Sequence, residues 1–347
     1  MKITPLLETL RLQKIDDSTY FSKKYSNYIS NSRLSLINPK QDGSPEKFFE
    51  GFKPFYSPSL QIGSAVHAIV LQPESFHIAD DLGKPTSKMG IMADELYSDY
   101  INGTLDNEKI REISLKVDYY SNALWGEAKF KKVIDDCTPY WEARKHYSEA
   151  ISDNSVEELY LDYRSRQIAI SCIESLQNSN YILDKMHPKT EFPDSIISEN
   201  EQAILLDIKV EMENSEPFIL KLKAKLDNYV IDTLNNTICV NDIKTLGKTV
   251  DKMNENIDRF HYNREFAFYL YLLNLVAHKY YGLKNPIAKG NYLVVSTIPG
   301  YYTKVVPLTK KMLQEGFDEL KYLIHLVAEN VATKYKDFGI WNTAISN

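Results

Sequence analysis

Residues 237–244, reading TICVNDIK, carry an acid and a lysine at a spacing that could act on a phosphate ester. In an extended chain Ile238, Val240, Asp242 and Lys244 share one face, and Cys239, Asn241 and Ile243 the other. Two apolar residues followed by an acid and a lysine describe a strand that starts buried and opens into a charged cleft. A carboxylate and an ammonium desolvated there are costly unless they act together. Fifteen residues upstream of Asp242, Asp227 closes the run 220–227, where Leu220, Leu222, Ala224 and Leu226 alternate with Lys221, Lys223, Lys225 and Asp227. Two carboxylates from neighbouring strands could grip a magnesium ion, which prefers oxygen ligands and keeps several waters. Lys244 could orient or help deprotonate an attacking water and stabilise charge on the phosphate oxygens. Such a set suits phosphodiester hydrolysis. Plainer readings stand beside it: a D-x-K tripeptide is common, the lysines suit a solvated strand face, and Asp227, next to Asn228, suits a turn at a strand end.

The elements that must position these residues come after Pro193, where the texture changes. AILLDIKVEM, PFILKLKAKLDNYVID and NTICVNDIKT read as a strand meander. A long helix is expected from about residue 250 or 256 to 281, then two strands around Pro299 and Gly300, then a closing helix over 309–334. Before Pro193 the chain reads as mostly helical. The first sixty residues, punctuated by Pro39, Pro45, Pro54 and Pro58, suggest short helices and loops. A short helix is expected from near Ser64 to before Pro73, and longer ones over 107–136 and 155–177. The expected class is α/β or α+β, ordered ββ(β)–α–β–(β)–α. Residues 1–190 would form a helical elaboration packed on a core of residues 191–347, the whole being one compact unit.

KAKLDNYVID…NTICVNDIKT resembles the core of the PD-(D/E)xK nucleases, with Asp227 matching the first acid, Asp242 the second and Lys244 the lysine. GSAVHAIVLQPESF, residues 63–76, is similar to the upstream signature of the exonuclease VIII (RecE-like) and RecB-type branch. His67 matches its metal-associated histidine. YNREFAFYLY resembles that branch's Y-x-x-Q-x-x-x-Y element through Tyr262, Glu265 and Tyr269, with Glu265 where glutamine is usual; that change would add a carboxylate on the metal side. Glu201 matches the branch's glutamate on the first core strand, with Glu199 as the near alternative. The resemblance covers three blocks between residues 63 and 271, in the expected order. It implies a restriction-endonuclease-like fold, a mixed β-sheet flanked by helices, holding Mg2+ or Mn2+ through Asp227, Asp242, His67 and Glu201. Tyr262, Glu265 and Tyr269 would contact substrate; Lys223 and Lys225, outside the family motifs, could meet phosphates or simply form a solvated strand face. The implied activity is a phage-type exonuclease that degrades double-stranded DNA from its ends in recombination. Its implied partners are a single-strand annealing protein and further copies of itself in a ring.

The remaining features narrow the field. The chain has 347 residues, 43% hydrophobic and 25% charged, with a net charge of −6. That charge argues against a simple DNA-coating protein; bound divalent cations would reverse it locally. Most of the 24 tyrosines suit cores and interfaces, though tyrosine also stacks on bases. Cys137, Cys172 and Cys239 lack CxxC spacing, which argues against a disulfide framework, a zinc knuckle or an iron–sulfur cluster. No phosphate-cradling G-x-x-x-x-G-K-[ST] loop appears, so no ATP use is expected. No apolar run suits a membrane span, MKITPLLETL does not read as a signal peptide, and the scattered cysteines suit a reducing, cytoplasmic setting, which the resemblance places in a bacterial host or phage-infected cell. Three competitors remain: a structure-selective or nicking endonuclease on the same core, a non-catalytic DNA-binding subunit, and a metabolic or transport role. His67 on a short helix also suits a structural role, Tyr262 and Tyr269 suit helix packing, and His261 and His278 read as structural.

Overall fold

The structure, a computed structural model, describes residues 1–52, 57–120, 124–151, 156–213 and 215–338. Its centre is a six-stranded mixed sheet. β1 (Lys2–Lys14) lies at one edge, followed across the sheet by β4 (Ile196–Glu211), β5 (Phe218–Asp232), β6 (Thr237–Leu246), β7 (Ile287–Ser296) and β8 (Thr303–Pro307). All neighbours are antiparallel except β6 and β7, which run parallel. A parallel pair needs a crossover, supplied here by α10 (Met253–Phe260) and α11 (Tyr262–Tyr281). β2 (Phe76–Ile78) and β3 (Glu157–Leu159) form a separate small parallel pair.

The sheet is covered on both faces, which explains the apolar runs in its central strands. One face packs on α11 and α12 (Lys310–Phe338), joined by Leu34 of α2 (Asn31–Ser35) and Phe48 of α3 (Pro45–Glu50). The other face divides. Residues 15–28, including α1 (Asp17–Tyr20), cover Ala203 and Leu205 of β4. Farther along, α4 (Pro58–Leu71), α8 (Tyr163–Gln177) and α9 (Asn180–Met186) cover Ile243, Leu293 and Val295. A third apolar cluster, around Trp141, Met92 and Leu96, belongs to α5 (Ser87–Ile101), α6 (Asn107–Lys116) and α7 (Glu127–Ala150). Those three helices therefore have a core of their own. No helix among the described residues is long and apolar enough to cross a membrane.

Several expected boundaries move. The first sixty residues open with the 13-residue strand β1, not with helices and loops. Pro5 and the register shift between Leu6 and Arg11 disguise its alternation, and an edge strand tolerates both. Pro54 lies outside the described residues. The helix expected from Ser64 starts at Pro58, where Ser57 accepts the Leu60 N–H as N-cap. The span 107–136 holds two helices, with Asp118 and Tyr120 at positive φ between them. The span 155–177 begins outside the described residues, continues as β3 and becomes helical at Tyr163, where Asp162 caps the Arg164 and Ser165 amides. The long helix is broken at His261, whose φ of 55° is left-handed.

That break is held by contacts to another helix. His261 Nδ1 lies 2.9 Å from Glu319 of α12, and the fully buried Arg264 lies 3.0 Å from the same carboxylate. Arg264 also donates to Asn31, Gln41 and Ser35, so the start of α11 is tied to α2 and α12 together. Gly316 permits this close crossing: a Cβ there would sit 2.2 Å from the Asn263 carbonyl oxygen. Gly316→Ala should therefore destabilise the protein by about 1–3 kcal/mol, read as a lower urea midpoint at unchanged slope. An unchanged midpoint would mean the helices do not cross so closely.

Candidate active site

The cleft opens where two strands part. Pairing between β5 and β6 runs from Asp232 opposite Thr237 to Asn228 opposite Asn241, and stops there. β6 continues along β7 as far as Leu246. β5 instead pairs with Ile29, whose N–H donates to the Lys221 carbonyl at 2.7 Å and whose carbonyl accepts from Lys223 N–H at 3.0 Å. Asp227 and Asp242 are the first residues past the last pair, one on each strand. Asp227 Oδ2 accepts the Ile243 N–H at 2.8 Å, so the carboxylate satisfies a backbone donor beside the parting. Asp227 is thus an interior strand residue; the turn suggested by Asn228 does not form, since β5 continues to Asp232.

Side-chain alternation also reverses at this point. Leu220, Leu222, Ala224 and Leu226 face the main core, and beyond Asp227 the residues facing it are Tyr229 and Ile231. On β4, the pairs Asn200–Asn228 and Gln202–Leu226 set Glu201 opposite Asp227, and Glu201 has a φ of 55°. A left-handed glutamate inside a strand stores strain, which tends to collect at functional sites.

Around this parting the side chains form two linked charge groups. His67, reaching in from α4, places Nδ1 3.3 Å from Asp227 Oδ2. Its helix can come close because Gly63 has no side chain; a Cβ there would lie 3.2 Å from Thr245 Oγ1 on β6. Lys244 places its ammonium 2.7 Å from Asp242 Oδ2 and 3.1 Å from Glu265 Oε2. The Tyr262 ring lies 4.5 Å from that ammonium, and Tyr269 donates its hydroxyl to Glu265 Oε1 at 3.2 Å. Tyr262, Glu265 and Tyr269 share a face of α11, as their spacing implies.

These neighbours set the charges. Burial opposes a charge on His67, yet Asp227 beside it outweighs this and raises its pKa to about 9. Burial pushes Asp242 up to about 8, with Lys244 pulling the other way and Asp227 and Glu265 adding to the rise. Lys244, although buried, is held charged by Asp242 and Glu265. Glu201 is raised by burial and by Asp227, while Lys225 opposes the rise.

The other expected residues fall in different places. Lys225 bridges Glu201 and Asp17, at 2.6 Å from each. Lys223 is 7% exposed; its ammonium donates to the Tyr20 carbonyl at 2.7 Å and lies over the Tyr20 ring, beneath the N-terminal segment. The solvated lysine face expected of this strand is therefore largely covered. Glu199 pairs with Tyr229 in the ladder, two residues before Glu201. His261 has a partner, Glu319, which nothing in the sequence pattern suggested, and His278 lies 3.3 Å from the Leu283 carbonyl. Asp17 and Ile29 were not foreseen either, because their roles arise from chain segments about two hundred residues apart.

The donor set is compatible with a hard divalent cation. Asp242 Oδ2 is buried and accepts no well-directed hydrogen bond, although the Lys244 ammonium is close. Among the described residues no three His, Cys, Asp or Glu side chains form a ready-made metal cage. Magnesium needs only one or two protein carboxylates and takes water for the rest, so Asp227 and Asp242 suffice as oxygen donors.

No protein family is matched by the chain, and no curated protein matches it. Among solved structures, a protein from Eubacterium rectale, provisionally described as an exonuclease, is 12% identical over 92% of this chain and 86% of its own, with a TM-score of 0.45. A protein from Vibrio cholerae is 14% identical over 83% of this chain and 61% of its own, with a TM-score of 0.17. Likenesses at this level carry no argument about fold or activity.

Lys223 yields a pH prediction. Burial, aided by the charge of Arg33, lowers its pKa to about 8 from the usual 10.5. Between those values the unfolded chain binds more protons at this residue than the folded one, so its contribution to stability rises with pH and is constant below 8. The stability of the unaltered protein relative to Lys223→Met should therefore climb between pH 8 and 10 in chemical denaturation. A flat difference would show that Lys223 titrates normally.

Proposed function

We propose that the protein is a metal-dependent DNA nuclease whose centre is Asp227, Asp242 and Lys244. The observation that carries this reading is the pair of acids just past the point where β5 and β6 part, with the Lys244 ammonium 2.7 Å from the second acid. Asp227 and Asp242 would hold Mg2+ or Mn2+, with His67 and Glu201 beside them. The ion would neutralise phosphate charge and lower the pKa of a bound water. Lys244 orients the attacking water and offsets charge on the phosphate oxygens, while Glu265 and the Tyr262 ring hold its ammonium at the cleft. Tyr269 in turn orients Glu265. Where the resemblance supplies glutamine, this chain has a carboxylate that pairs with the lysine.

The finer proposal is a phage-type exonuclease acting on double-stranded DNA ends in recombination, working with a single-strand annealing protein and as a homo-oligomeric ring. It draws on the three sequence blocks, which the fold brings to one cleft. His67, Asp227, Asp242, Lys244, Glu265 and Tyr269 are linked there through contacts and close charge interactions.

End-labelled linear duplex incubated beside a closed circle, with Mg2+ or with EDTA, tests the reading. Linear duplex alone should be lost, only with metal, and Lys244→Ala should be slower by about 100-fold or more. Cutting of the circle would indicate an endonuclease. Binding without cleavage under any metal would leave a DNA-binding subunit and end the catalytic reading.

A further inference from the structure

One row of side chains beside the acids is used by nothing described so far. Asn200, Asn228, Asn241 and Asn291 stand opposite one another on β4, β5, β6 and β7. Their amides form a relay: Asn291 Nδ2 donates to Asn241 Oδ1 at 2.8 Å, Asn241 Nδ2 to Asn228 Oδ1 at 2.7 Å, and Asn228 Nδ2 to Asn200 Oδ1 at 2.9 Å. Asn228 and Asn241 are fully buried and Asn291 is 7% exposed. Every bond points the same way across the sheet, an arrangement in which each polarises the next.

The relay also reaches the helices on that face. Asn200 Nδ2 donates to the Leu71 carbonyl at 3.1 Å, at the end of α4, about one turn beyond His67. Asn241 Nδ2 donates to the Lys185 carbonyl at 2.8 Å, near the end of α9. Terminal helix carbonyls lack intrahelical donors, so the row satisfies two helix ends as well as bridging four strands.

We infer that this asparagine relay is the positioning element of the cleft. It clamps the last β5–β6 pair, so that Asp227 and Asp242 diverge from a fixed point, and holds α4 so that His67 meets Asp227. Apolar side chains of similar size could bind the strands as tightly, because replacing both partners of a buried hydrogen bond is often nearly neutral. They could not specify which residue faces which, nor hold the two helix ends. The metal-site part of this inference rests on the nuclease reading; the placement of Asp227 against β6 does not.

The test uses the full chain with Asn228→Leu/Asn241→Leu, and Asn200→Ala as a milder cut that releases only the α4 end and one relay bond. Amide exchange is followed at Ile243, whose N–H reports the Asp227 contact, with Leu293 on β7 as the internal control. In the double variant Ile243 should exchange at least about ten-fold faster while Leu293 keeps its protection. Mn2+ affinity, measured by calorimetry without DNA, should weaken in both variants, by at least about ten-fold in the double one. Unchanged exchange at Ile243, or Mn2+ affinity equal to that of the unaltered protein, overturns the inference and leaves a core-packing row. Should the double variant not fold, the Mn2+ affinity of Asn200→Ala decides. Should the unaltered protein neither bind Mn2+ nor cut DNA, the nuclease reading falls, and exchange at Ile243 alone decides the relay.

Discussion

β5 and β6 are hydrogen-bonded up to Asn228 and Asn241 and separate immediately beyond. Parting strands inside a sheet expose backbone donors and acceptors that must be paired or wetted. Here the Ile29 backbone bonds to β5 on one side of the gap, and the Asp227 carboxylate takes the Ile243 amide on the other. These bonds pair backbone groups on both strands beside the opening, and the charged side chains occupy space that the separation creates.

Within that space the charges are poor candidates for stability alone. Glu201, Asp227, Asp242 and Glu265 approach His67, Lys225 and Lys244 in a partly desolvated setting. Burying such groups costs several kcal/mol per ion before pairing recovers any of it. Despite burial, His67 is raised and Asp227 lowered because each favours the other's charge, whereas burial raises the neighbouring Asp242, so two adjacent carboxylates are pushed in opposite directions.

Contacts between distant elements tie down the segments that carry this charged cluster. α11 carries the lysine's partners, and its first turn is tied through Arg264 and His261 to Glu319 on α12 and to α2. α4 carries the histidine and approaches β6 at Gly63. Lys225 joins Asp17 to Glu201, so the N-terminal segment is fastened at the cleft's edge. α5, α6 and α7 keep a separate core and leave the centre to the sheet.

The local placement of these side chains was legible in the chain. Period-two alternation in 220–227 and 237–244 identified the strands and put Asp242 and Lys244 on the face that reaches α11, because strand geometry is decided residue by residue. The three-and-four spacing of Tyr262, Glu265 and Tyr269 did the same for the helix. β1 was not legible, because Pro5 and a register shift break its pattern and its partner lies about two hundred residues away. The break at His261 escaped for a similar reason, since its anchor is Glu319 on another helix. Alternation likewise suggested that Lys223 was solvated, but residues 15–28 fold over it. By itself the sequence determined which residue types share a strand or helix face, since that follows from local backbone period. Only the tertiary structure decided where β5 and β6 part, which carboxylate meets which cation, and which lysines stay open, because those outcomes depend on segments distant in the chain competing for the same surface.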